Sequence, residues 1–244
     1  MSKAVTVAGW DDVPHLSAVA KEEMLSSYPA HQRGARSKGI PALGSGAIYR
    51  VPIEDVLVDP FPIPDYYRRA YGCDVGWNRT AAVWGAHNAD TDVLYLYDEH
   101  YRAEAEPPVH ASAIKARGDW IPGVIDPAAR GRSQRDGMRL LDDYRAEGLD
   151  LHEADNVRDA GLLEVQRRLT TGRLKVFRTL GYWVVEYKLY RRDEKGRVVK
   201  QRDHLMDATR YLVMSGLAVA CVNLLPDRDL GYDGPASPQS WQGM

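Results

Sequence analysis

From about Tyr66 onward the apolar positions fall into short blocks separated by polar turns. Tyr71 to Gly76, Thr80 to Ala86 and Val93 to His100 read as three strands. Asn78-Arg79 and the polar stretch HNADTD at 87–92 join them, which predicts an antiparallel meander. Val109 to Ala116 is a modest helix, and Pro122 to Asp126 a fourth strand. Ser133 is placed to cap a helix whose Met138, Leu140, Leu141 and Tyr144 form one stripe. Leu149 to His152 reads as a fifth strand, Asp159 to about Thr171 as a helix, Leu174 to Phe177 as a strand and Leu180 to Tyr190 as a helix. Tyr187 to Arg202 is expected to form a hairpin turning at Asp193–Gly196, and a closing helix to run from Asp203 to about Val222. The sum is an α/β fold with a mixed sheet: a three-strand antiparallel meander plus parallel strands, flanked by helices.

The first 64 residues differ in pattern. Asp11 to Leu16 reads as a turn, and Ser17 can cap a helix reaching about Ser27. A second short helix is expected after Pro29, with Arg33, Arg36 and Lys38 near its end and Gly39 as terminator. Prolines at 41, 52, 60, 62 and 64 then suit an extended connector better than a packed core. Three parts follow from this: a connector over 1–64, a domain over 65–223, and a tail over 224–244, rich in Gly, Pro, Ser and Gln, expected to lack fixed structure.

Composition changes the picture by exclusion. A length of 244 residues allows one ordinary domain with appendages, and 44% hydrophobic with 27% charged residues is ordinary for a globular chain. No apolar run approaches the roughly 18 residues of a membrane span, and the start lacks the apolar stretch of a secretory signal. A net charge of −2 argues against binding nucleic acid by bulk charge, but leaves room for a local basic patch. Cys73 and Cys221 make neither a disulfide framework nor a zinc quartet, so a reduced, cytosolic, soluble protein is expected. The chain has no phosphate loop, no H-E-x-x-H and no G-x-S-x-G.

Three acidic residues carry candidate chemistry. Asp74 lies within an apolar strand, where an unpaired carboxylate is costly, so it needs a partner or a function. Asp126 ends the fourth strand, where α/β active sites gather, although an aspartate before proline also suits a plain turn. Asp203, His204 and Asp207 open the closing helix along one edge. The simplest role for Asp203 is capping that helix. If Asp74, Asp126 and Asp207 converge, they form an all-oxygen cage for a hard cation such as Mg²⁺ or Mn²⁺. Two such ions, about 3.5–4 Å apart, would suit phosphodiester hydrolysis.

The pattern resembles the ribonuclease H-like nuclease domain of tailed-phage large terminases, the DNA-packaging enzymes. GCDVGWNRTAAV at 72–83, GVIDPAARGRSQRDG at 123–137 and DHLMDATRYLV at 203–213 carry the likeness, the last most specifically. WDDVPHL at 10–16 and RGARSKGIPALGSGAIY at 33–49 look like the segment joining a terminase motor domain to its nuclease. The resemblance implies metal ligation by Asp74, Asp126 and Asp207, assistance from His204, and a preceding ATP-driven motor domain that this sequence does not contain. It further implies double-stranded DNA as substrate, the motor domain, portal and small terminase as partners, and the host cell cytoplasm as location, with no membrane.

Phosphate contacts must come from basic residues. Residues 188–202 hold Lys188, Arg191, Arg192, Lys195, Arg197, Lys200 and Arg202 against two acids, a local excess of +5. Such a hairpin suits the DNA backbone, while a solvated sheet edge guarded by charge is the plainer alternative. Arg79 follows Asp74 closely, and Arg130, Arg132, Arg135 and Arg139 follow Asp126. No base-reading helix is evident, so little sequence preference is expected. Cys73 reads as a core residue, and Tyr182, Trp183, Tyr187 and Tyr190 as core or interface aromatics. Rival readings are a Holliday-junction resolvase or transposase core, an actin-like ATPase, and a catalytically silent docking module.

Overall fold

Alternate residues of a strand point to opposite faces of its sheet, and the central strands here are apolar on both. The computed structural model describes residues 9–28, 33, 37, 46–127 and 140–223. Its seven strands are β1 (Leu57–Val58), β2 (Arg68–Asp74), β3 (Thr80–Asn88), β4 (Val93–Arg102), β5 (Gly123–Ile125), β6 (Leu151–Glu153) and β7 (Leu174–Phe177). They form one sheet in the order β1-β7-β4-β3-β2-β5-β6. β2, β3 and β4 are the antiparallel meander, and β5, β6, β7 and β1 join in parallel pairings.

One face carries Ala70, Ala81, Val83, Leu94, Leu96 and Val176. They pack under α5 (Arg158–Thr170), α6 (Gly181–Leu189) and α7 (His204–Tyr211). The other carries Tyr71, Cys73, Ala82 and Trp84 under α3 (Pro107–Lys115) and α4 (Leu140–Ala146). The helices α1 (Ala18–Ser27) and α2 (Ile53–Val56) precede the meander. Ser17 caps α1 as the sequence suggested, its Oγ accepting from the Ala20 N–H at 3.2 Å.

Where the structure departs from the pattern, the causes are local. β2 stops at Asp74 instead of continuing to Gly76, because the chain turns there: Thr80 Oγ1 donates to the Gly76 carbonyl at 3.2 Å. The hairpin keeps its turn but has almost no strands. Asp193 Oδ1 accepts from the N–H groups of Lys195 and Arg197 at 2.9 and 2.8 Å, and Gly196 takes the left-handed conformation at φ 75°. The arms are joined at the isolated bridge Arg192↔Val198 by two backbone hydrogen bonds, Asp193 N–H to the Arg197 carbonyl at 2.7 Å and Val199 N–H to the Arg191 carbonyl at 2.9 Å. A run this charged has few apolar residues to bury beyond Tyr190 and Val198, and α6 already claims the chain through Leu189. The closing helix ends at Val219, with a π-helical stretch over Leu212–Gly216.

Residues 46–64 lie against the domain. Tyr49 and Val56 are buried in its core, Phe61 packs edge-on to Tyr95 and Phe177, and β1 extends the sheet beside β7. Of the helix expected after Pro29, Arg33 and Ser37 are described and helical; the rest of it, the cap at Ser133 with Met138, and the tail from 224 lie outside the described residues. No helix among the described residues is long and apolar enough to cross a membrane.

β4 also presents His100 to His110 of α3, Nε2 to Nδ1 at 2.9 Å with both residues buried. Burial, with His110 and two arginines nearby, pushes His100 down to about 4, and burial also lowers His110. Between the ordinary value of 6.5 and about 4 the unfolded chain therefore binds more protons than the folded one. Stability contributed by this pair is complete above pH 6.5 and falls as pH drops toward 4. The expected result is a urea midpoint that declines more steeply over this window in the parent than in His100→Gln. Parallel curves would remove the pair from the acid response.

Candidate active site

The parity of the strands decides which side chains can meet. Ala70 faces α5–α7, so Gly72 and Asp74 on the same strand do too. Val124 packs against Tyr211 at the end of α7, so Asp126, two residues on, shares that face. β2 and β5 are adjacent and parallel with Cys73 opposite Ile125, and the Asp126 N–H donates to the Cys73 carbonyl at 3.3 Å. The two aspartates thus stand at neighbouring strand ends, at the carboxyl edge where α/β sheets place their sites.

α7 brings the third. Its close approach to β2 is possible because Gly72 has no side chain: a Cβ there would lie 2.0 Å from the Ala208 carbonyl oxygen. That contact sets His204 and Asp207 over the strand ends. His204 Nδ1 lies 2.9 Å from Asp74 Oδ2. Burial raises the Asp74 carboxyl above the usual aspartate range, against the lowering hydrogen bond and charge of His204, with Asp207 and Asp126 pushing it further up. The same hydrogen bond raises His204. Asp74 thus lies within electrostatic reach of both other carboxylates.

As placed, each carboxylate is engaged. Asp207 is buried, its Oδ2 accepting from Lys200 Nζ at 2.9 Å and its Oδ1 from Arg210 Nη2 and Nε at 3.2 and 3.3 Å. Asp126 Oδ1 accepts from Asn156 Nδ2 at 3.3 Å. Among the described residues no three His, Cys, Asp or Glu side chains stand within joint chelating distance.

Several supporting residues escaped the sequence reading. Asp203 does not cap α7 with its side chain; it pairs with Lys200 at 3.1 Å. The cap comes from Glu186 of α6, buried, whose Oε2 accepts from the Leu205 N–H at 2.6 Å and whose Oε1 accepts from Tyr101 Oη at 2.6 Å. Glu99 of β4 does the same for α6, accepting from the Tyr182 and Trp183 N–H groups at 2.9 Å each. An isolated glutamate amid Trp183, Tyr187 and Tyr190 was the available signal for Glu186. Trp183, Tyr187 and Tyr190 are buried as expected, but Tyr182 is 57% exposed. Cys73 is buried and its thiol pushed well up by burial and by the Asp74 charge, which fits a core residue.

The basic residues divide. Lys188, Arg191 and Lys195 are exposed on or beside the turn. Arg197 bonds Asp193, Arg192 donates to the Gly196 carbonyl at 2.8 Å, and Lys200 faces inward to Asp207 and Asp203. Arg79 lies over the Tyr101 ring at 4.6 Å, on the cleft beside His204. Arg130, Arg132, Arg135 and Arg139 lie outside the described residues.

Residues 72–215, which contain all three aspartates, match the family model described as the terminase RNase H-like domain. The chain belongs to that family. This terminase domain is 32% identical over 210 residues to the large terminase subunit of Salmonella phage P22, covering 82% of the chain and 42% of that relative. It therefore spans less than half the length of that curated protein. The solved nuclease domain of the P22 large terminase superposes with a TM-score of 0.67 at 30% identity, over 73% of this chain and 96% of the other. The terminase nuclease domain of phage SPP1, solved with bound Mn, shares the fold at a TM-score of 0.50 and 19% identity, over 66% of this chain and 96% of that one.

Proposed function

We infer that this terminase domain is a divalent-metal-dependent endonuclease that hydrolyses double-stranded DNA with little sequence preference. Its task would be cutting concatemeric viral DNA during genome packaging in the host cytoplasm, alongside a motor domain, portal and small terminase. The reading is supported by the position of Asp74 and Asp126 at the ends of two adjacent parallel strands, with Asp207 on the helix packed across β2 and both other carboxylates raising Asp74.

The donor chemistry suits the ion. Three carboxylates and no thiolate favour a hard cation such as Mg²⁺ or Mn²⁺, and the Lys200 ammonium already sits on Asp207 where positive charge is wanted. Asp74, Asp126 and Asp207 would hold two ions. Bound there, such ions make a water nucleophilic at neutral pH and neutralise charge on the leaving oxygen. Asn156 orients Asp126, and His204, held by Asp74 through Nδ1, can hold or release a proton beside the scissile bond. Crystallisation of the SPP1 domain with Mn accords with this donor set.

The direct test is conversion of supercoiled plasmid to nicked and linear forms. Cleavage is expected with Mn²⁺ or Mg²⁺ and none in EDTA. Binding without cleavage under every metal condition would favour the docking module.

Substrate grip should rest on Lys188, Arg191 and Lys195, which are exposed and have no carboxylate partner among the described residues. Neutralising all three is expected to lower the slope of log K against log salt by up to about 2–3, at roughly 0.9 per lost phosphate contact. Arg192 is left alone because its bond to Gly196 holds the turn. A slope equal to the parent's would take this segment off the DNA path.

A further inference from the structure

A cavity of about 550 Å³ opens beside the carboxylates, with Asn78, Arg79, Tyr101, Tyr182, Arg202 and His204 among its walls. That volume is typical of small-ligand pockets. It reaches the catalytic cluster through one side chain, since His204 also bonds Asp74 at 2.9 Å.

Its walls are cationic and aromatic. Neither Arg79 nor Arg202 has a carboxylate partner among the described residues. The acid in the wall, Glu186, is buried, with one oxygen on the Tyr101 hydroxyl and the other on the Leu205 N–H. Arg202 sits in the left-handed region at φ 55°, between the basic turn and α7. Non-glycine residues held there cluster at ligand clamps. Tyr182 stacks on Tyr101 with ring centroids 4.8 Å apart, yet is 57% exposed, unlike its buried neighbours Trp183 and Tyr187. Its backbone is fixed by Glu99, so an aromatic face is presented from a rigid helix start.

Guanidinium groups recognise phosphate, and tyrosine faces stack on bases of any sequence. Together they describe one nucleotide unit. A base still paired and stacked in a duplex cannot enter a pocket of this size, so the occupant has to be unpaired. We propose that this cleft is a subsite for one unpaired nucleotide next to the scissile phosphate, its base on Tyr182 and its phosphate between Arg79 and Arg202. The position of the scissile phosphate rests on the nuclease reading above. The consequence is a preference for DNA that is frayed or opened at the cut.

The experiment uses the full chain in EDTA, so that binding is read without cleavage. Two duplexes are compared by fluorescence anisotropy, one blunt and one with a single unpaired 2-aminopurine at its end. The unpaired nucleotide is expected to tighten binding about tenfold, the scale of one base–aromatic stack, and to quench the 2-aminopurine. Tyr182→Ala should lose both effects and Tyr182→Trp keep them, while Arg202→Gln should lose most of the affinity gain. Equal affinity for the two duplexes, or quenching unchanged in Tyr182→Ala, would overturn the proposal. The nuclease reading fails separately: a chain that stacks the base but never nicks plasmid keeps the nucleotide site, and one that nicks without stacking loses it.

Discussion

Asp126→Asn should fold as the parent does and cut DNA on the order of 10³-fold more slowly. The residue is only partly buried at the end of β5, and its backbone N–H, which donates to Cys73, is untouched by the change. The amide has the shape of the carboxylate and lacks its charge. What disappears is one anionic oxygen donor for a hard cation, and metal stabilisation of charge in the transition state amounts to several kcal/mol. At about 1.4 kcal/mol per decade, that is roughly three decades in rate. The measurement is initial nicking rate at saturating Mn²⁺, beside a thermal melt and DNA affinity in EDTA. Melting and affinity should stay near parental values while the rate collapses. A rate within tenfold of the parent would take Asp126 out of the site. Asp74→Asn should lose as much, but it also takes away the negative charge that faces His204, so it reports on two groups at once.

How far the sequence anticipates this site depends on the range of the interaction. Asp74 stands out because an acid inside an apolar strand is rare, and Asp126 because it closes one. Their shared face follows from strand alternation once β2 and β5 are paired in parallel. The meander is legible because its turns are polar and its strands apolar, both local properties. The Glu186 cap on α7 joins residues 19 positions apart, and its acceptance from Tyr101 spans 85. No spacing rule announces such partners, so Asp203 looked like the cap when it is instead a counter-ion for Lys200. Lys200 looks like one more phosphate contact for the same reason: its charge is local information, while the carboxylates it meets depend on how the turn folds back onto α7. The short pairing of β1 with β7 hides in a proline-rich stretch for want of any alternation two residues long.

Asp207→Ala should destabilise the domain by about 3–5 kcal/mol, which makes it a poor probe of metal ligation. Arg210 is fully buried, and both Nε and Nη2 reach Asp207 Oδ1. Its Nη1 has no hydrogen-bond partner, and its guanidinium lies 4.4 Å from the Tyr211 ring centroid. Removing one member of a buried ion pair leaves a desolvated charge, and the cost is mostly that stranded charge, not the lost attraction. Urea denaturation should therefore show a large fall in midpoint for Asp207→Ala and a smaller one for Asp207→Asn, whose amide oxygen still accepts from Arg210. The double variant Asp207→Ala with Arg210→Met should recover most of the loss, since replacing both ends of a buried pair with apolar groups is often neutral. That recovery would still leave plasmid uncut, separating the folding role of Asp207 from its chemical one. Additive losses in the double variant would mean that Arg210 does not depend on Asp207, and the ion pair would no longer account for a carboxylate buried at this point of α7.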